Sequence, residues 1–239
     1  MQDLEQKTVL ITGGSKGIGF GIAESLLAAG MRVAITSRSQ EAADEAASKL
    51  QKIGKGEVIG IAADVRNLES QENAVSKLID QWGQLDVVIA NAGIGHFASI
   101  ENLTSEQWQE TIDTNLTGVF YSIKAGLEGL KSTKGYFITI SSLAGTNFFA
   151  NGSAYNASKF GVTGFSQAVM LDLRKYGIKV STIMPGSVAT YFNDHQPSEA
   201  DAWKIQIEDL GQMVVDLLRM NPRTLPSKIE VRPTMPPNA

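Results

Sequence analysis

Thr8-Val9-Leu10-Ile11-Thr12 runs directly into Gly13-Gly14-Ser15-Lys16-Gly17-Ile18-Gly19, and helical spacing begins at once after it. The short apolar and β-branched run favours an extended strand buried on both faces. The glycines permit a tight turn and let backbone N–H groups approach a pyrophosphate, whose charge the following helix N-terminus favours. A glycine cluster also serves turns that need glycine for steric reasons alone. The strand before this one and the helix after it direct the reading toward phosphate.

Outward from this unit the same pairing repeats. Segments 8–12, 32–36, 57–62, 86–90, 136–140 and 179–183 are rich in Val and Ile and predict strands, several of them as nearly continuous apolar runs. Between them, segments 18–29, 40–53, 68–82, 105–130 and 153–176 carry helical spacing. Strand-helix units of this size predict an α/β fold, a single domain over residues 1–239 with a doubly wound parallel sheet of the Rossmann type flanked by helices. Ligands of such a sheet gather at the carboxyl ends of its strands. Thr104-Ser105-Glu106-Gln107 fits a capping box opening the long helix. Pro185-Gly186 ends the sixth strand, segment 187–204 lacks periodicity and predicts a short lid, 205–220 returns to helix, and 229–231 fits one last strand. Pro233, Pro236 and Pro237 make the tail irregular.

Composition narrows the function classes. The chain has 239 residues, 43% of them hydrophobic, which fills one extended core without crosslinks. It has no cysteine, so disulfides, iron–sulfur clusters and thiolate nucleophiles are excluded. His96 and His195 are the only histidines and lie far apart, so no metal site is expected. A net charge of −4 with no basic concentration argues against a nucleic-acid partner. The polar start, Met1 to Lys7, lacks the apolar region of a signal peptide, and no apolar run approaches the roughly 20 residues that span a bilayer. A soluble, cytoplasmic protein without a membrane partner is the expectation.

The spacing G-x-x-x-G-x-G at Gly13, Gly17 and Gly19 resembles that of the short-chain dehydrogenase/reductase family. Further landmarks follow in family order: Asp64-Val65 after the third strand, Asn91-Ala92-Gly93 after the fourth, Asn115, Ser142, Tyr155-x-x-x-Lys159 and Pro185-Gly186. Together they cover about residues 7–190 and are highly specific, although each alone is weak. The resemblance implies an oxidoreductase that moves hydride between a nicotinamide cofactor and a carbonyl or alcohol carbon, similar to the 3-oxoacyl and carbonyl reductases. It places Gly13, Ser15, Lys16, Gly17, Ile18 and Gly19 at the pyrophosphate, Asp64 and Val65 beside the adenine, and Asn91, Ala92, Gly93, Pro185, Gly186 and Val188 along the cofactor. It also puts Thr190 at the nicotinamide carboxamide. A helix-capping role for Asp64 is the competing reading.

Charge argues for NADP(H) over NAD. A carboxylate at the end of the second strand would bond the ribose 2′-OH and repel a 2′-phosphate. Here that turn reads Thr36-Ser37-Arg38-Ser39, and Lys16 adds a second cation.

Tyr155 and Lys159 are four residues apart on a predicted helix, so they leave the same face. A tyrosine of ordinary pKa near 10 is a poor base at neutral pH, and a nearby ammonium favours its anion. Ser142 is positioned just past a strand to hold a substrate oxygen; Ser141 competes, and Ser142 is favoured because it matches the family position. The resemblance gives Asn115 a water that links Lys159 to solvent. Segments 94–97, 143–152 and 187–196 would surround the substrate, with Phe97, Phe148, Phe149, Tyr191 and Phe192 making the opening apolar and His96 as either a substrate contact or an ordinary loop residue.

Residues 229–234, Ile-Glu-Val-Arg-Pro-Thr, depart from the glycine-rich ending of oxoacyl reductases and look like endings among hydroxy-acid dehydrogenases and broad carbonyl reductases. The expected substrate is a small carbonyl or alcohol compound, acyl thioesters included, with a small 3-hydroxy acid as the alternative. A nucleotide-sensing module is the non-enzyme alternative, and retention of both Tyr155 and Lys159 argues against it. By resemblance the long helices form a homo-oligomer, a dimer or tetramer. Ala157, Gly161 and Gly164 would allow close approach there, or would pack on the sheet.

Overall fold

The computed structural model describes residues 3–236, so Met1 and Gln2 of the polar start and Pro237 of the tail lie outside the described residues. Its strands are β1 (Thr8–Ile11), β2 (Arg32–Ser37), β3 (Val58–Ala62), β4 (Val87–Ala90), β5 (Tyr136–Ile140), β6 (Lys179–Pro185) and β7 (Lys228–Val231). They form one sheet in the order β3-β2-β1-β4-β5-β6-β7, and every neighbouring pair is parallel. The helices are α1 (Gly17–Ala28), α2 (Gln40–Gln51), α3 (Leu68–Trp82), α4 (Ser105–Ile112), α5 (Gly118–Thr133), α6 (Ser153–Leu173) and α7 (Ile207–Arg219).

A parallel sheet needs cover on both faces, which is why its central strands are buried at every position rather than at alternate ones. Val9 and Ile11 of β1 and Val87 and Ile89 of β4 pack with Ile22 and Leu26 of α1 and Leu210 and Val214 of α7. Leu10 and Val88 point the other way, into a second core with Val75 of α3, Ile123 of α5 and Val162 of α6. Helices α1 and α7 approach closely at Gly21, where a Cβ would stand 2.6 Å from the Ile207 carbonyl oxygen. The chain winds from β1 outward to β3, then returns to place β4 on the other side of β1. That reversal opens a crevice at the carboxyl ends of β1 and β4, as doubly wound sheets do at their switch points.

Two departures from the sequence expectation matter for the site. The helix expected over 105–130 is interrupted by a π-helical turn, Asp113–Thr117, in which Gly118 N–H bonds back to the Asp113 carbonyl. One wider turn leaves apolar periodicity almost intact, so spacing does not reveal it, but it swings Asn115 into the interior. The sixth strand also runs on to Pro185, because Met184 and Pro185 pair with Glu230 and Val231 of β7.

The Thr104 capping box is present in both directions, with Gln107 N–H donating to Thr104 Oγ1 and Thr104 N–H to Gln107 Oε1, each at 3.2 Å. Segment 187–204 is tied at its base by Ala189 N–H to Ile205 O at 2.9 Å and Ile205 N–H to Ser187 O at 3.1 Å. Inside it Asp201, buried, accepts from His195, Lys204 and the Ser198 N–H, which hold its carboxyl far below the usual carboxylate range. Among the described residues no helix is long and apolar enough to cross a membrane.

Candidate active site

The loops after β1 and β4 interlock at the crevice. Gly13 and Gly17 have φ of 65° and 59°, a region that favours glycine. A Cβ on Gly13 would stand 2.9 Å from Ala92 Cα, and one on Gly19 would stand 2.5 Å from Asn91 Nδ2. Thr12 Oγ1 accepts from Asn91 N–H at 3.0 Å and Ala92 N–H at 3.2 Å, and Asn91 Nδ2 donates back to Thr12 O and Gly13 O at 2.9 and 3.0 Å. Helix α1 starts at Gly17 without a side-chain cap, so its first N–H groups have no such partner. A glycine cradle that a Cβ would fill, beside uncapped donors, fits a dinucleotide pyrophosphate.

A cavity of about 750 Å³ runs from this loop to the reacting residues. Gly13, Ser15, Lys16, Gly17, Ile18, Ser37, Arg38, Asp64, Val65, Asn91, Ala92 and Gly93 line it, as do Ser142, Tyr155, Lys159, Pro185, Gly186, Val188 and Thr190. Gly19 sits behind the loop against Asn91, and Asn115 behind Gly93. At the far end Ser37 Oγ lies 3.5 Å from Ser15 Oγ, while Ser39 is spent on capping α2 through the Ala42 N–H. Among the described residues neither Lys16 nor Arg38 makes an ion pair, whereas Asp64 is clamped by Arg66, Nε to Oδ1 at 3.0 Å and Nη2 to Oδ2 at 2.7 Å. The Arg66 guanidinium holds the Asp64 carboxyl below its ordinary value. Asn67, not Asp64, caps α3 by accepting from the Ser70 N–H.

At the reacting end Tyr155 and Lys159 leave α6 on one face. Lys159 Nζ donates to the Ile140 carbonyl at 3.0 Å and lies 5.7 Å from the centre of the Tyr155 ring. Burial lowers the Lys159 ammonium to about 8. Burial also pushes the Tyr155 hydroxyl above the ordinary phenol value, with the neighbouring Ser142 hydroxyl opposing it in smaller measure. The depressed tyrosine anticipated from the neighbouring ammonium is therefore not a property of these side chains by themselves. Ser142 also accepts from the Ala144 N–H at 3.1 Å, which fixes its rotamer. The Ser141 hydroxyl is occupied elsewhere, with the Lys159 carbonyl at 3.1 Å and Thr163 Oγ1 at 3.0 Å. Asn115 accepts from the Ile94 N–H at 2.8 Å and donates to the Ile94 carbonyl at 2.9 Å and to Ser158 Oγ at 3.0 Å.

Against this geometry, a family model described as short chain dehydrogenase matches residues 7–201. The chain belongs to the short-chain dehydrogenase family. A trans-4-hydroxycyclohexanecarboxylate dehydrogenase of Sinomonas cyclohexanicum is 36% identical over 190 residues, covering 77% of this chain and 73% of the relative. A 3-oxoacyl-[acyl-carrier-protein] reductase of Synechocystis sp. is 34% identical over 214 residues, covering 89% and 86%. Among solved structures, an alcohol dehydrogenase from the archaeon Thermococcus sibiricus complexed with 5-hydroxy-NADP superposes with a TM-score of 0.91 at 29% identity, covering 96% of this chain and 97% of that one. This short-chain dehydrogenase is accordingly an oxidoreductase of carbonyl and alcohol groups that uses NAD(P).

Several features of this short-chain dehydrogenase escape sequence reasoning. Arg66 clamps Asp64, two residues away, and reaches Glu110 at 3.8 Å. Glu110 in turn holds His96 Nε2 at 2.9 Å, and His96, half-buried, lines the cavity. The D-x-R spacing of Asp64 and Arg66 was the only local signal; Glu110 has none. Of the aromatic residues expected at the opening, Phe97 and Phe192 pack on Tyr155 and Phe149 packs on Phe97, whereas Phe148 is 86% exposed and joins no ring pair among the described residues. Gly161 receives the Leu116 side chain, so the close approach it allows is within the chain, while Gly164 faces open space.

Proposed function

We propose that the chain is an NADPH-preferring reductase of ketones or 3-oxoacyl groups, reversible as an alcohol dehydrogenase, in which Ser142, Tyr155, Lys159 and Asn115 form the reacting set. The observation that carries this reading is the Tyr155 hydroxyl, with Ser142 beside it and Lys159 behind it, at the end of the cavity that begins at the glycine loop. NADPH, when bound, supplies the hydride. Ser142 holds the substrate oxygen, and Tyr155, kept protonated by its raised pKa, gives the proton to the oxygen as it becomes an alkoxide. Lys159, with Nζ fixed by the Ile140 carbonyl, carries positive charge below about pH 8 and stabilises the tyrosinate left behind. Asn115 has its carboxamide committed to Ile94 and Ser158 and so acts by positioning, pressing Gly93 and Ile94 toward Lys159.

The preference for NADPH follows from charge. The turn after β2 offers Ser37 and Arg38 and no carboxylate, and the nearest acid, Asp64, is neutralised by Arg66. The relatives support the reaction class, since one is named for oxidising a ring alcohol and another for reducing an oxoacyl group. The described chain works as one catalytic unit with 187–204 as lid. Exposed Phe120, Phe160 and Leu171 on α5 and α6 support a homo-oligomer built on those helices. The test is nicotinamide absorbance over a panel of ketones and 3-oxoacyl thioesters with each cofactor. Turnover of at least one carbonyl, faster with NADPH, is expected. Tight cofactor binding with no hydride transfer to any carbonyl would instead support the nucleotide-sensing module.

A further inference from the structure

Three phenylalanines from three separate loops cluster beside Tyr155, two of them against its ring and the third against Phe97. Phe97 comes after β4, Phe149 after β5, and Phe192 from segment 187–204. The Phe97 ring centre lies 5.4 Å from that of Tyr155 with planes at 60°, and the Phe192 centre 5.7 Å from it at 53°. Phe149 meets Phe97 at 5.9 Å, and Phe97 meets Phe192 edge-on at 6.3 Å. The backbone is pared to admit them: a Cβ on Gly95 would stand 2.7 Å from the Phe192 ring, and one on Gly152 2.5 Å from the Phe149 ring.

These rings are not ordinary core packing, because Phe97, Phe149 and Phe192 remain 38%, 48% and 38% exposed. Large aromatic surface left in water beside a reacting hydroxyl is unfavourable until something apolar covers it. Tilted rings also offer both faces and edges to a further ring, the arrangements that aromatic pairs prefer. Charged recognition is poorly served there. His96 is closed by Glu110, Arg66 is spent on Asp64 and Glu110, and Lys204 is held by Asp201.

We propose that the substrate carries an uncharged aromatic or saturated ring next to the reacting carbonyl, seated among Phe97, Phe149 and Phe192, which act as specificity-determining residues. This rests on the reading of Tyr155 as proton donor to a carbonyl. Ring stacking against two or three phenylalanines is worth about tenfold or more in kcat/KM.

The experiment compares kcat/KM, at saturating NADPH, for an aryl methyl ketone, a cyclohexanone, a straight-chain 2-ketone of the same carbon number, a 3-oxo acid and butane-2,3-dione. The ring ketones are expected to exceed the straight-chain ketone and the 3-oxo acid by about tenfold or more. Phe97→Ala and Phe192→Ala should lower kcat/KM for the ring ketones about tenfold, mostly through KM. They should leave the dione and NADPH affinity within about threefold, and Phe97→Leu should recover part of the loss. A straight-chain or acidic substrate preferred by wild type, or equal losses on ring ketone and dione in the variants, overturns the ring assignment alone. If wild type reduces none of the carbonyls, dione included, while binding NADPH, the reductase reading falls and the ring assignment with it.

Discussion

The two ends of the cavity are made of different material. At the cofactor end the walls are backbone: a glycine turn locked to the loop after β4 by Thr12 and Asn91, at the ends of strands buried in the sheet. At the reacting end they are side chains brought from separate places, Ser142 after β5, Tyr155 on α6, Phe97 after β4 and Phe192 in the lid. Backbone walls bind a shape that every nicotinamide dinucleotide shares. Side-chain walls can be changed one at a time, and so carry chemistry and substrate choice. If the division is real, substitutions at one end should leave the other end's measurable quantity alone.

The largest expected effect is at Tyr155. Tyr155→Phe keeps the ring and its contacts but removes the proton, so kcat should fall roughly 10³-fold while NADPH affinity stays within about threefold. Rates within about tenfold of wild type on a good ketone would remove Tyr155 from the role. Next, Ser142→Ala should lower kcat roughly 10²-fold, because in the proposed reaction its hydroxyl holds the substrate oxygen, with only the smaller stability loss that follows from its bond to the Ala144 N–H. Ser141→Ala should do the opposite, with near-normal kcat and a stability loss of about 1 kcal/mol, since its bonds run to Lys159 O and Thr163 Oγ1. Steady-state rates and thermal melts of the two variants, side by side, read this directly.

Arg38→Leu belongs to the other end and should be smaller. Loss of one charge-assisted contact to the 2′-phosphate weakens NADPH about ten- to a hundredfold and NADH much less. Fluorescence titration with each cofactor measures it, and equal weakening of both would make Arg38 a surface residue.

An effect of a different kind, on stability and its pH dependence, is expected at Lys159. Its folded pKa of about 8 lies below the ordinary 10.5, so between those values the unfolded chain binds more protons and stability rises with pH. Below about pH 8 the buried ammonium costs up to about 3 kcal/mol, the full difference between the two pKa values. Lys159→Met should therefore be inactive yet more stable than wild type at pH 7, and the gain should shrink by pH 10. Urea melts at the two pH values give the comparison; a gap that does not shrink contradicts the burial account.

The same division explains what the sequence disclosed. The glycine turn and the Tyr155–Lys159 pair each lie within a few residues of chain, on elements whose apolar periodicity is strong, so spacing places them, while Asn91-Ala92-Gly93 is read from the family resemblance. The last strand at 229–231 was legible for the same reason, as a short β-branched run before Pro233. The π-helical turn was not, because a single wider turn scarcely disturbs helical periodicity over 105–130. Neither was the Arg66–Glu110–His96 chain, whose members meet only once the loops are placed, whereas Phe97, Phe149 and Phe192 were expected at the opening and only their mutual packing was not. Ser141 and Ser142 sit side by side in the chain, and only the direction in which the strand delivers each hydroxyl separates them.

The division between a binding end and a reacting end is tested most directly by a crossed measurement of kcat and NADPH Kd in Arg38→Leu, Ser142→Ala and the double variant. The account predicts that Arg38→Leu moves Kd by about ten- to a hundredfold and kcat by less than about threefold, that Ser142→Ala does the reverse, and that the double variant shows both losses unchanged. If either single variant shifts both quantities by similar factors, or if the losses in the double variant fail to combine independently, the two ends are not separate and the account is wrong.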